Sequence, residues 1–218
     1  MLDKYKLVGR SYDLLSKLYS GDAIAACKVA MLREDTLGPG SRVLFAGSGQ
    51  GKDAIVAASL GAQVTVVDIS PTMMSRFKKI LESQPDSIQE RIEMVQIDIL
   101  KLEKFDQYDM VVANFFLNVF DRKKMNTLLK HLIKLLRPKG RIIIGDFAPP
   151  QGGLLGKSVQ NLYWYAAATA FFAAAGNAVH AIYHYREILE KQGCQIMEER
   201  FFPVLGQNWY QSLMAQKP

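Results

Sequence analysis

Cysteine is scarce in this chain of 218 residues: Cys27 and Cys194 are its only two. They stand far apart and without metal or redox spacing, which excludes a disulfide framework and a cysteine-based zinc or redox motif. Free thiols in a reducing compartment are expected. Histidine is also rare, with three in the chain. A long apolar run is missing as well: the stretch LYWYAAATAFFAAAG, 162–176, falls short of the roughly 20 residues a spanning helix needs. It reads as a buried or lid helix, with contact at a membrane surface left open. The opening MLDKYKLVGRSYDLL has no apolar core of the signal-peptide kind, so a cytoplasmic location is expected. There is no internal repeat, no low-complexity tract and no linker.

The net charge of +6 permits an anionic partner. The lysines are dispersed, however, as in Lys78 and Lys79 or Lys123 and Lys124, and no aromatic-basic interleaving accompanies them. Solvated helix faces explain them, and no nucleic-acid partner is expected.

What is present is alternation. The segments 41–47, 62–68, 91–98, 108–116 and 140–147 are short apolar runs rich in β-branched residues and predict strands. Between them KDAIVAASLG, SPTMMSRFKKILES and DRKKMNTLLKHLIKLLRP predict helices, with Ser70-Pro71 as a start signal and Gly61 or Pro138 as stops. This order gives parallel strands with right-handed crossovers and a ligand crevice beyond the strands' carboxyl ends. After YREILEKQG, two strand-like runs joined by a turn at Gly206 predict an antiparallel pair. The fold class is α/β, a doubly wound sheet, in one domain spanning 1–218. It carries an N-terminal helical cover (1–37) and a helical lid inserted after the fifth strand (148–181).

The chemistry starts at VLFAGSGQGKD, 43–53. Gly47, Gly49 and Gly51 follow the first strand and open the first helix, where bare backbone lets a ligand approach closely. A dinucleotide fingerprint requires glycine at position 52, and Lys52 stands there. Asp68 ends the second strand about 20 residues past the first glycine, placed to accept both ribose hydroxyls of a nucleoside. Asp98, at the end of the third, is placed to accept from an adenine amino group, with Ile99 packing on the ring.

In order and spacing, FAGSGQG, VVDIS, VQIDIL, YDMVVANFFLNVF and LLRPKGRIIIGDF resemble the motifs of the class I S-adenosylmethionine-dependent methyltransferases. The resemblance covers roughly residues 40 to 147 and implies a Rossmann-like seven-stranded sheet with an antiparallel last strand. It also implies S-adenosylmethionine as cofactor, with S-adenosylhomocysteine as product. Its methionine end would lie over Ala46, Gly47, Ser48, Gly49 and Gly51, its ribose on Asp68 with Ile69 and Met73 beside it, and its adenine by Asp98, Ile99 and Leu100. Asn114, Phe115 and Phe116 would line the methyl-donor end, and Asn118 the substrate. In GRSYDLLSKLYSGD, Tyr12 and Tyr19 are similar to the opening segment of the ubiquinone and menaquinone C-methyltransferases, which covers the cofactor. That likeness points to lipophilic, quinol-like acceptors.

Phe45 is the departure, because the family often carries an acid there, near the amino group of the methionine moiety. Backbone carbonyls around Ala46 and Gly47 are expected to hold that group instead. Asp53, at the start of the first helix, is explained by the helix macrodipole and is not expected to turn toward the site.

The insertion places Tyr163, Trp164, Tyr165, Phe171 and Phe172 over the crevice as an apolar wall for a small, largely apolar substrate. His180 and His184, four apart, would share a face within one helical turn; with Tyr183 and Asp146 they are the acid/base candidates. Two histidines alone make no metal site, and none is expected. A nicotinamide oxidoreductase is disfavoured by Lys52 and the terminal strand pair. A non-catalytic nucleoside-binding relative acting through a protein partner is kept as a rival because of Phe45.

Overall fold

The computed structural model describes residues 22–151, 153, 158, 161, 162, 164, 165, 169, 178, 180–204 and 206–218. In chain order the elements are α1 (Ala23–Val29), β1 (Arg42–Ala46), α2 (Lys52–Ser59), β2 (Gln63–Val67), α3 (Pro71–Leu81), α4 (Asp86–Gln89) and β3 (Ile92–Val95). Then follow β4 (Tyr108–Asn114), α5 (Arg122–Leu135), β5 (Leu136–Phe147), α6 (Tyr185–Lys191), β6 (Gln195–Val204) and β7 (Gln207–Gln216). The seven strands form one sheet in the order β3-β2-β1-β4-β5-β7-β6, with β7 antiparallel to both its neighbours. Strand order reverses between β1 and β4, so the expected crevice lies at the carboxyl ends of these two.

Side chains alternate across β1 and sort into two cores. Leu44 and Ala46 face a cluster with Leu128, Leu129 and Leu132 of α5 and with Tyr185 and Leu189 of α6. Val43 and Phe45 face the other side, in a cluster with Ala54, Ala57 and Ala58 of α2 and Phe77 of α3. Phe45 is therefore a core side chain, filling volume that the alanines of α2 leave open.

Local signals place the helix starts. The Ser70 hydroxyl accepts from the Met73 N–H at 3.2 Å with Pro71 following, and Asp121 accepts from the Lys124 N–H at 2.9 Å. The end of α5 departs from expectation: it stops at Leu135, and Leu136, which pairs with Tyr108, already belongs to β5. The residue before a proline is pushed toward extended backbone, and Lys139 adopts φ +62°, so the segment around Pro138 joins the strand.

Candidate cofactor and substrate site

The glycine turn is shaped by backbone that side chains would not permit. Gly47, Gly49 and Gly51 have φ of +86°, +48° and +67°. A Cβ on Gly51 would stand 2.0 Å from the Phe77 ring, so this position seats the turn on α3. Phe116 leans over Gly47 from the end of β4.

Asp68 locks this turn to β2. One carboxylate oxygen accepts from the Ser48 N–H at 2.8 Å and the Ser48 hydroxyl at 2.9 Å; the other accepts from the Ser70 N–H at 2.8 Å. The second oxygen, with one donor, keeps lone-pair capacity. Beside it Ile69 is an apolar side chain left 49% exposed, unusual in a core-poor position and suited to cover a flat ring. Met73 is half-buried in the first turn of α3.

At the end of β3 the Asp98 carboxylate caps the short 3-10 turn Ile99–Lys101, accepting from the Leu100 N–H at 3.0 Å. Ile99 corrects an expectation: it is buried in the core cluster with Val111 and Leu128, so its side chain is turned away from the crevice. Leu100 is the half-buried residue of the pair.

The end of β4 brings distant groups together. Phe115 adopts φ +51°, a strained conformation for a bulky residue and a mark of a shaped site. Its ring meets Phe147 and Tyr210 edge-on, and the Lys28 ammonium lies 5.8 Å from its centroid. The Asn114 amide donates to the Lys28 carbonyl at 3.0 Å and to Asp53 at 2.8 Å. Asp53 thus departs from expectation: it is 8% exposed and turned inward against β4. Lys28 lies outside every motif in the sequence, and only the packing of α1 reveals it.

At the ends of β5 and β7 the polar groups are enclosed. Asp146 is buried and accepts from the Tyr185 hydroxyl at 2.6 Å, the Asn118 amide at 2.8 Å and the Phe147 N–H at 2.7 Å. Burial pushes its carboxyl up to about 7 against the pull of these donors. Asn118, Asp146, Phe147, Trp164, His180 and Tyr183 pack closely, leaving no room for a water molecule.

The acid/base expectations change accordingly. Residues 180–184 are not helical, so His180 and His184 share no face. His180 stacks on Tyr183 at 4.1 Å, and its two ring nitrogens face the Ala181 and Asn118 carbonyls at 2.7 and 2.8 Å. His184 is exposed at the start of α6, 3.7 Å from Glu187. The Tyr183 hydroxyl donates to the Phe120 carbonyl, and burial, with the charge of Asp121, pushes its phenol up to about 12. No one of these groups presents a free base to the crevice. Trp164 is buried against Phe147, its ring N–H donating to the His180 carbonyl at 2.6 Å. Tyr12, Tyr19, Tyr163, Phe171 and Phe172 lie outside the described residues.

Residues 43–140 match the methyltransferase domain family. The chain is 30% identical over 145 residues to a demethylmenaquinone methyltransferase of Clavibacter sepedonicus, covering 66% of this chain and 56% of that protein. It is 27% identical over 176 residues to a ubiquinone/menaquinone biosynthesis C-methyltransferase of Azotobacter vinelandii, covering 79% and 66%. The chain thus spans less than two thirds of the length of these curated relatives. Among solved structures it resembles magnesium protoporphyrin IX methyltransferase of Synechocystis with bound S-adenosylhomocysteine, at TM-score 0.71, 22% identity and coverage of 99% and 98%. It also resembles 1,6-didemethyltoxoflavin-N1-methyltransferase of Burkholderia thailandensis, at TM-score 0.68, 19% identity and coverage of 98% and 86%.

Residues 43–140 thus match a methyltransferase domain, and the chain as a whole resembles S-adenosylmethionine-dependent methyltransferases in fold and the ubiquinone and menaquinone C-methyltransferases in sequence. S-adenosylmethionine is the cofactor of those methyltransferases, and the residues present fit it. The glycine turn is bare, Asp68 has acceptor capacity for a ribose, and Ile69 is exposed for a base.

Proposed function

We propose that this chain transfers a methyl group from S-adenosylmethionine to a small, largely apolar molecule of aromatic or quinol-like character. The observation that carries the substrate class is the aromatic cluster of Phe115, Phe147, Trp164, Trp209 and Tyr210, gathered at the carboxyl ends of β4 and β5 beside the glycine turn. A flat apolar molecule packs edge or face against such rings, whereas a phosphate-bearing one finds no guanidinium beside them among the described residues. The relatedness to demethylmenaquinone and ubiquinone/menaquinone C-methyltransferases supports the same class.

Bound S-adenosylmethionine supplies a methyl group on a sulfonium, a good leaving group. The residues of the chain then orient the two partners and exclude water, which supplies much of the rate of an in-line displacement. Asp68, Ile69, Asp98 and Leu100 hold the nucleoside end. The strained Phe115 and its neighbour Phe116 set the approach to the donor. The Asp146, Tyr185 and Asn118 network fixes the ends of β5 and α6, so its role is positioning, not proton removal.

The test is turnover with S-adenosylmethionine labelled in its methyl group, against short-chain demethylmenaquinols, catechols and hydrophilic amines. Label in the quinol or catechol products supports the reading. Label in the amines alone overturns the substrate class, and cofactor binding with no labelled product in any arm overturns catalysis in favour of a partner-binding role.

A further inference from the structure

A buried carboxylate with an idle oxygen stands beside the glycine turn. Asp53 is 8% exposed, and one of its oxygens accepts from the Asn114 amide at 2.8 Å. The other has no hydrogen bond, and Asp53 forms no ion pair among the described residues. Asn114 is oriented without ambiguity, because its nitrogen donates to both Asp53 and the Lys28 carbonyl and a flipped amide would set oxygen against oxygen at both. Its own oxygen is thereby left buried and unpartnered. A largely buried carboxylate with one donor and no ion pair calls for a cationic partner on its open oxygen. Lys28 provides the opposite charge nearby: its ammonium lies 3.7 Å from where a Cβ of Gly49 would stand, and it too forms no ion pair among the described residues.

We propose that Asp53, held in place by the Asn114 amide, receives the α-ammonium, and Lys28 the α-carboxylate, of the cofactor's amino-acid end. The acid absent at Phe45 has thus moved eight residues along the chain, from β1 to α2. The exchange has a packing reason. Phe45 fills the core against Ala54 and Ala57, and Asp53, one residue before that alanine face, supplies its charge to the crevice side. This inference rests on the reading of the crevice as an S-adenosylmethionine site.

Calorimetric titration with two probes separates the possibilities. S-adenosylhomocysteine carries the amino-acid end, and 5′-methylthioadenosine carries the nucleoside and sulfur without it. Asp53→Asn, which keeps an oxygen for Asn114, is expected to weaken S-adenosylhomocysteine about tenfold or more and to leave methylthioadenosine within about twofold. Lys28→Met, on a half-buried position that tolerates truncation, gives the same pattern and carries the test if Asp53→Asn does not fold. Unchanged S-adenosylhomocysteine affinity in a folded variant overturns the inference, as does equal weakening of both probes. Failure of the unaltered protein to bind S-adenosylhomocysteine overturns the cofactor reading itself, and with it the inference.

Discussion

The two ends of the crevice are built on opposite rules. At the ends of β1 and β4 polar atoms are left short of partners: the idle oxygen of Asp53, the buried oxygen of Asn114 and the second oxygen of Asp68. At the end of β5 the Asp146 carboxylate is matched by three donors, and the Tyr183 hydroxyl and the Trp164 ring N–H each donate to a carbonyl. A buried group without a partner is paid for in stability and persists where a ligand completes it. A saturated network holds architecture. The difference teaches that chemical character alone, a histidine or an aspartate near a crevice, says less about function than the lone pairs that neighbouring groups leave free.

The sharpest way to break this comparison is at the turn itself. Gly51→Ala combines φ +67° with a Cβ driven into the buried Phe77 ring, and it should destabilise the fold by roughly 2–4 kcal/mol in urea titration. Normal stability would show that the turn relaxes and is not held by α3. Next, Asp68→Ala should weaken S-adenosylhomocysteine by on the order of 1–3 kcal/mol in calorimetry, since a charge-assisted acceptor is lost. Equal affinity would remove Asp68 from the site.

Asp146 sharpens the other side. Its folded carboxyl, at about 7, lies above its ordinary 3.8, so the folded state binds more protons than the unfolded one between these values. Stability from this group is present in full below about pH 4 and is lost as pH rises toward about 7. Asp146→Asn should remove this slope in denaturation curves taken from pH 4 to 8; a slope that persists would assign it to another group. The smallest effect is expected at His184, exposed beside Glu187: His184→Ala should change stability by less than about 0.5 kcal/mol and leave turnover unchanged. A large loss of turnover would restore it as an acid/base residue.

The alternation of apolar runs and amphipathic stretches made the strand and helix order legible before any coordinates, and motif spacing singled out Gly47, Gly49, Gly51 and Asp68. These are local signals: periodicity, a turn that only glycine forms, an acid at a strand end. The end of α5 was less legible, because Pro138 biases the residues before it and β4 recruits them into pairing. The direction of Ile99 was hidden as well, since a short 3-10 turn rotates its side chain into the core.

What the chain's own order determines is thus the doubly wound sheet, the antiparallel last strand and the glycine turn with Asp68 following β2. Tertiary structure alone decided that Phe45 packs under the alanines of α2, that Asp53 turns inward to Asn114, and that Lys28 of α1 reaches the turn. It likewise decided that the histidines near Asp146 have no common face. The physical reason is that hydrophobic periodicity and turn chemistry act within a few residues, whereas the fate of a lone pair depends on groups brought together from β1, β4, α1 and α2 by burial.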